Sequence, residues 1–407
     1  MDVILIEPTF PSNQREFARA LHSVGARVIG IGERPKEALD DGLRHWLHHY
    51  EQVSNVCDPR ALEERVRWIM GRAKPQRLEA TIEAHIKTAA EVRARCGIPG
   101  TSEETALLCR DKPAMKEALR RAGIPCAASI GARTADEVRD FAQRVGYPLI
   151  LKPRDGAGAS STYRVDDEGE LESAMRRMGL DRGASIAVEE FIEGHEGFFD
   201  TLTIGGRVVH EFACHYYPNV LEAMRTRWIS PQFITTNQVE AAPGYEEVRV
   251  MGRRVIAEFG IETSATHMEW FFGPKGLKFS EIGCRPPGVG AWDLYSAANE
   301  MDLYREWAMA VVHGRPAQTP SRRYSAGIIA LRPDRDGVIS HYDGLSEFEH
   351  SYSEHVIAAH FPPPGTPTQP VSAGYKANAW VQMKHPSFDT LRAMLDAVGR
   401  TVQVRAR

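Results

Sequence analysis

Cysteine is scarce and unpatterned in this chain. The 407 residues contain six, at positions 57, 96, 109, 126, 214 and 284, with no CxxC pair and no repeated spacing. In a chain of this length they read as reduced thiols of a cytoplasmic protein. No apolar run approaches the length needed to span a membrane, so no membrane partner is expected. A positive excess is also missing: the net charge is −4. That argues against nucleic acid or any other extended polyanion as a partner, while leaving room for one local phosphate site. Met1-Asp2-Val3-Ile4-Leu5-Ile6 has no basic n-region and reads as a first strand, not a signal peptide. Two nucleotide fingerprints are lacking as well. GxxxxGK[ST] does not occur, and Gly30-Ile31-Gly32 has no third glycine, which disfavours a Walker A loop and a nicotinamide site. No internal repeat is present. Charged residues make up 26% and hydrophobic residues 43% of the chain, ordinary values for a globular protein of two or three domains.

What is present organises the chain. A strand at Val3–Ile6, an amphipathic helix over Asn13–Val24 and a strand at Ala26–Ile31 form a βαβ opening, which favours a parallel sheet. Helices follow over Asp58–Arg72 and Glu83–Cys96. Gly97-Ile98-Pro99-Gly100 breaks the chain, and Thr101-Ser102-Glu103-Glu104 offers a helix start. Further helices are predicted over Asp111–Ala122, Thr134–Val145, Glu168–Met178, Val248–Phe259, Met301–Val312 and Phe388–Val398. Strands are predicted at Leu149–Leu151, Ile186–Ile192, Tyr324–Leu331, Val356–His360 and Ala377–Met383, with a hairpin of Phe198–Ile204 and Arg207–Cys214 around Gly205-Gly206.

The segment Thr266 to Arg285 carries the most chemistry. It reads as two strands joined by a Gly/Pro turn. Glu269 and Glu281 are an even number of residues apart, and a five-residue connection, Gly273 to Leu277, makes them face each other. Facing carboxylates repel and destabilise a sheet, and a divalent cation relieves them. Two acidic ligands plus substrate phosphates suit Mg²⁺. Arg285 follows closely, able to stabilise anionic charge. Lys152 ends a buried strand, and the small-residue loop Gly156–Ser161, including Gly158 and Ser160, follows within reach. Small residues let backbone N–H groups approach a phosphate, and lysine supplies the countercharge. In Glu189-Glu190-Phe191-Ile192-Glu193-Gly194-His195-Glu196, a strand end offers backbone groups to an adenine edge, and Glu196 is placed to accept ribose hydroxyls. His195 reads as a polar loop residue. Arg225 or Arg227 suits a substrate carboxylate through a bidentate contact, and Pro286–Asp293 is a candidate lining for an acceptor pocket.

Taken in order, Lys112, Lys152 with its loop, the Glu189–Glu196 unit and the Glu269/Glu281/Arg285 hairpin resemble the ATP-grasp superfamily over roughly residues 80 to 315. The resemblance implies a mixed α/β and α+β fold in three regions. An N-terminal parallel α/β (pre-ATP-grasp) domain covers 1–100, an ATP-clamping region covers 101–315 with a small lid subdomain at about 126–190, and an α+β subdomain covers 316–407. It implies ATP with Mg²⁺, or Mn²⁺ in its place. Lys112 would contact phosphate, and Lys152 adenine and the α-phosphate. The Gly156–Ser161 loop would close over the triphosphate. Glu189, Glu190 and Ile192 would hold adenine, and Glu196 the ribose. Glu269 and Glu281 would bind metal, and Arg285 would stabilise the transferred phosphoryl group or a tetrahedral intermediate. Partners would be a small-molecule acid and amine, and a homodimer is compatible with this.

One position departs from the pattern: many members carry Asn two residues after the second Glu, where this chain has Gly283. Glu281-Ile282-Gly283-Cys284-Arg285-Pro286-Pro287-Gly288 looks more like the version found in ligases of amino acids and other small acids. The expected activity is an ADP-forming carboxylate–amine ligase working through an acyl phosphate. A bicarbonate-activating, carboxylase-like enzyme and a non-catalytic ATP-binding module remain the alternatives.

Overall fold

The computed structural model describes residues 1–156 and 161–407. The expected phosphate-loop positions Gly158 and Ser160 lie outside the described residues. The chain opens with a parallel sheet in the order β3-β2-β1-β4, made of β1 (Asp2–Ile6), β2 (Arg27–Gly32), β3 (Leu47–Gln52) and β4 (Pro75–Glu79). Val3, Leu5 and Val28 pack on helix Gln14–Ser23, and Ile4, Ile6, Ile29 and Ile31 pack with helices Pro59–Met70 and Ile86–Cys96. Both faces are covered, as a parallel sheet requires. Gly30 and Gly32 serve packing here. A Cβ at Gly30 would lie 2.9 Å from the Tyr50 ring, and one at Gly32 would lie 2.6 Å from the Tyr50 hydroxyl.

A small antiparallel sheet follows, β5-β8-β6-β7, from β5 (Ser129–Ala132), β6 (Leu149–Pro153), β7 (Tyr163–Val165) and β8 (Ile186–Glu190). Helices Ala135–Val145 and Glu168–Arg177 pack on it. The first starts in a capping box between Thr134 and Glu137, as a Thr-x-x-Glu sequence dictates. The third sheet is antiparallel and eight-stranded, in the order β13-β12-β9-β10-β11-β14-β17-β16. Its members are β9 (His195–Ile204), β10 (Arg207–Tyr217), β11 (Gln232–Thr235), β12 (Ser264–Gly273), β13 (Gly276–Gly283), β14 (Ser325–Leu331), β16 (Val356–His360) and β17 (Ala379–His385). Through β14, β17 and β16, residues beyond 316 are hydrogen-bonded into the same sheet as residues 195–283. A short pair, β15 (Ile339–Asp343) with β18 (Gln403–Ala406), flanks it.

The hairpin corrects one expectation. The turn holds two residues, Pro274 and Lys275, because Gly273 pairs with Gly276. Trp270 then pairs with Phe279 but Glu269 with Glu281, so Ser280 is a bulge. The carboxylates still face each other, by a tighter turn plus one extra residue. Strands β3 and β4 are absent from the sequence reading: Leu47-His48-His49-Tyr50-Glu51-Gln52 and Pro75-Gln76-Arg77-Leu78-Glu79 carry too few apolar residues to show a period.

Candidate active site

A cavity of about 450 Å³ lies between the small sheet and the large one. Its polar lining includes Lys112, Lys152, Glu189, Glu196, Glu269 and Glu281. Ile150, Phe191, Ile192 and Phe271 supply apolar walls, the mixture expected of a pocket that orients a flat ring and its charged tail. Gly156, Glu190 and Arg225 also line it, whereas Arg227 does not.

Local capping fixes Lys112. Asp111 caps helix Lys112–Arg121, its Oδ1 accepting from the Ala114 N–H at 3.0 Å. The same carboxylate receives both arms of Arg154, at 2.8 and 2.9 Å, a fork geometry that ties the helix start to the end of β6. Lys112 Nζ then donates to the Gly156 carbonyl at 2.5 Å and stands 3.3 Å from Glu281 Oε2.

Lys152 shares Glu189 with Lys116, a lysine that sequence reasoning missed. The Glu189 Oε2 atom lies 2.8 Å from Lys152 Nζ and 2.5 Å from Lys116 Nζ. All three side chains are buried. Burial opposes the charge on Lys116 and draws its pKa down to about 8 despite Glu189. Burial also opposes the charge on Lys152, but Glu189, with Glu281 beyond it, outweighs this and raises its pKa. Two ammonium groups share one carboxylate, leaving a positive excess that suits an anionic ligand. The Glu189 carboxylate is thus committed to lysines. Glu190 accepts from the Ala128 N–H at 3.1 Å and pairs with Lys275.

The opposite wall is acidic. Glu269 and Glu281 stand in register on β12 and β13. Burial opposes ionisation of Glu281, but Lys112 and Lys152 outweigh it and hold its pKa below the usual range. Glu196 accepts from the Val220 N–H at 2.6 Å. Burial, then the Glu269 charge, pushes its pKa up to about 8. Among the described residues no group of three or more His, Cys, Asp or Glu side chains forms a ready metal cage. Two facing carboxylates in a lysine-rich cleft therefore fit a hard cation that takes its remaining ligands from phosphate and water. The raised Glu196 pKa marks the negative charge such an ion would relieve.

Arg285 is held from the N-terminal region. Its Nε pairs with Glu83, which also binds Arg110 at 2.6 Å. Burial opposes ionisation of Glu83, but Arg285 and Arg110 outweigh it and hold its pKa near about 2. This clamp accounts for Gly283. A Cβ there would lie 2.9 Å from Glu83 Oε2 and 3.5 Å from the Arg285 side chain, so an asparagine would displace the pair. Opposite Gly283 stands His267, a second residue missed in the sequence. Its Nδ1 is 2.7 Å from Asp200 Oδ1, and its Nε2 is 3.7 Å from Glu269 Oε1. Burial opposes its charge, but Asp200 outweighs that and raises its pKa to about 9. Strand alternation was the available signal, since His267 lies two residues before Glu269.

Of the arginines considered for substrate, Arg225 donates to the Thr162 carbonyl at the cavity rim. Arg227 points away, paired with Asp336 at 2.5 Å. No described helix is long and apolar enough to cross a membrane.

Comparison with known proteins agrees with this geometry. Residues 117–300 match the family model of the ATP-grasp domain. The chain is 27% identical over 312 residues to an L-arginine-specific L-amino acid ligase of Bacillus subtilis, a match covering 75% of this chain and 74% of that protein. It is also 25% identical over 343 residues to a formate-dependent phosphoribosylglycinamide formyltransferase of Chlorobaculum tepidum, covering 81% of each. The fold resembles the crystal structure of an L-amino acid ligase from Bacillus licheniformis, with a TM-score of 0.77 at 18% identity over 100% of this chain and 98% of that one.

Proposed function

The chain carries an ATP-grasp domain over residues 117–300, and from that premise we propose that it is an ADP-forming ligase joining a carboxylic acid to an amine. The observation that carries the reading is the facing pair Glu269 and Glu281, with Lys112 at 3.3 Å from Glu281. A nucleotide sensor needs only the base and phosphate pocket. Two facing carboxylates with Arg285 beside them are the equipment of phosphoryl transfer.

Lys112, Lys152 and Lys116 neutralise phosphate oxygens, and Glu196 takes the ribose hydroxyls. The apolar wall of Ile150, Phe191 and Ile192 receives the adenine. Glu269 and Glu281 would hold Mg²⁺, or Mn²⁺ in its place, which when bound supplies charge neutralisation for the triphosphate. The carboxylate oxygen of the acid attacks the γ-phosphorus, ADP leaves, and an acyl phosphate results. The amine then attacks the carbonyl carbon, phosphate departs, and the nitrogen loses a proton. Arg285, fixed by Glu83, faces the charge that develops in these steps. Positioning and preorganised charge supply most of the catalysis. Residues 1–100, 101–315 and 316–407 serve in this reading as a flanking support, the nucleotide clamp and a second wall for the substrates.

A screen of acids and amines by ATP-dependent phosphate release, with mass spectrometry of the products, tests it. ADP release that requires both an acid and an amine, with an amide product, is the expected result. ADP release that requires bicarbonate instead, or nucleotide binding with no turnover on any pair, would replace the ligase reading.

A further inference from the structure

The sheet face that carries Glu269 and Glu281 continues well beyond the nucleotide cavity. Across it, Tyr216 pairs with Phe233, Phe233 with Ile328, and Ile328 with Gln382. Side chains alternate along a strand, so Ile328, Ala330 and then Arg332, one residue past β14, follow on one face. Arg332 donates from Nη1 to the Thr226 carbonyl at 2.6 Å. Thr226 adjoins Arg225, which lines the nucleotide cavity, so this contact ties Arg332 to the cavity rim.

Arg332 and its neighbours hold donors without partners. Its Nη2 is buried and makes no hydrogen bond among the described residues. The Tyr375 hydroxyl is also buried and unpartnered, on a residue only 6% exposed. Tyr375 packs its ring on Phe233, with centroids 5.9 Å apart. The charges of Glu196 and Glu269 and that of Arg332 all act on its hydroxyl, so Tyr375 lies within electrostatic reach of both the acidic wall and the guanidinium. A third buried donor without a partner, Gln382 Nε2, lies on the same face, 3.0 Å from the point where a Gly290 Cβ would be, and Lys376 Nζ lies 2.6 Å from that point. The charged groups nearby are Arg227, already paired with Asp336, and Asp293, whose charge acts on Lys376. The Arg332 and Tyr375 donors, each buried and unmet, carry an uncompensated desolvation cost, which an anionic acceptor removes.

We propose that Arg332 and Tyr375 form a subsite for a substrate carboxylate other than the one that is activated. The inference rests on the ligase reading, in which the activated carboxylate lies beside Glu281, Lys112 and Arg285. A second carboxylate bound at Arg332 belongs to a substrate with two functional groups. Either the amine is an amino acid held by its own carboxylate, or the acid is a dicarboxylate held by its unreacted end. A guanidinium with a free N–H edge beside a phenol suits a planar carboxylate.

The test is binding by calorimetry and thermal shift to the full chain with ADP and Mg²⁺ present. The probes are the twenty common L-amino acids, succinate and glutarate, each beside the carboxamide that lacks the charge. At least one carboxylate probe should bind, on the order of tenfold or more tightly than its carboxamide. Arg332→Gln should abolish that preference, and the isosteric Tyr375→Phe should weaken it several-fold, both with unchanged ADP affinity. Amino-acid and dicarboxylate hits support the subsite equally and decide which substrate it serves. The proposal is overturned if no probe binds a protein that binds ADP, if carboxylate and carboxamide bind alike, or if Arg332→Gln keeps the preference. Loss of ADP binding by the wild type would instead strike the nucleotide reading, so the two failures are distinguishable.

Discussion

Glu269 and Glu281 stand directly opposite each other in the β12–β13 ladder because one surplus residue, Ser280, is bulged out of it. The two-residue turn alone would set Ser280 against Glu269. The bulge carries Glu281 one place along, where Lys112 Nζ reaches it at 3.3 Å. Active-site bulges re-aim side chains in this way.

Glu281→Gln is expected to lower ADP release by about a hundredfold or more, since a preorganised charge is removed from the reacting centre. Stability should fall slightly. Removing the repulsion from Glu269 favours the variant, but Lys112 and Lys152 hold the Glu281 pKa low, so the charged form is the stabilising one. Steady-state kinetics with a melting curve checks both, and wild-type turnover in the variant would contradict the metal-site assignment.

Lys152→Ala should sharply reduce the rise in melting temperature that Mg²⁺·ATP gives, because a ligand that binds only the native state stabilises it in proportion to its affinity. Lys116→Met is the sharper test. Lys116 is 1% exposed and shares its carboxylate with Lys152. Removing it leaves Glu189 paired to Lys152 alone and shrinks the positive excess. ATP affinity should drop in both variants, and an unchanged dissociation constant in either would remove that lysine from the phosphate site.

The pH dependence of the metal-free protein should carry the signature of Glu196. Its folded pKa is raised to about 8 from an ordinary 4.5. Between these values the folded state binds more protons than the unfolded one, so stability falls as pH rises through this window. The slope is at most about 1.4 kcal/mol per pH unit. Glu196→Gln should flatten the curve between about pH 4.5 and 8. A melting curve with the same slope in variant and wild type would contradict the raised pKa.

Gly283→Asn installs the residue that the resemblance drawn from the sequence leads one to expect here, yet it should impair this protein. The added Cβ would meet Glu83 Oε2 at 2.9 Å, so the Glu83–Arg285 pair must shift. Overpacking of this kind costs about 1–3 kcal/mol, and turnover should fall as Arg285 loses its support. If the variant gains activity at wild-type stability, the clamp is not what excludes the asparagine.

The amino-acid sequence determined the features written in short spacings. The even separation of Glu269 and Glu281, the buried strand ahead of Lys152, the caps at Ser102, Asp111 and Thr134, and the Glu-x-Gly-x-Arg run all depend on residues a turn or a hairpin apart. Their geometry follows from strand and helix periods, except that the facing of Glu269 and Glu281 also needed the Ser280 bulge, which no spacing records. Other features were decided only by the tertiary structure. Lys116 meets Glu189, Glu83 meets Arg285, and Asp200 meets His267 across 73, 202 and 67 residues of chain. No local period records such pairings. Strands β3 and β4 exist because neighbouring strands offer them hydrogen bonds, not because their residues alternate. The charge states at the site have the same origin. A lysine near 8, a glutamate near 8 and a histidine near 9 depend on burial and on charges that folding brings within a few ångströms, and neither exists until the sheets have closed on each other.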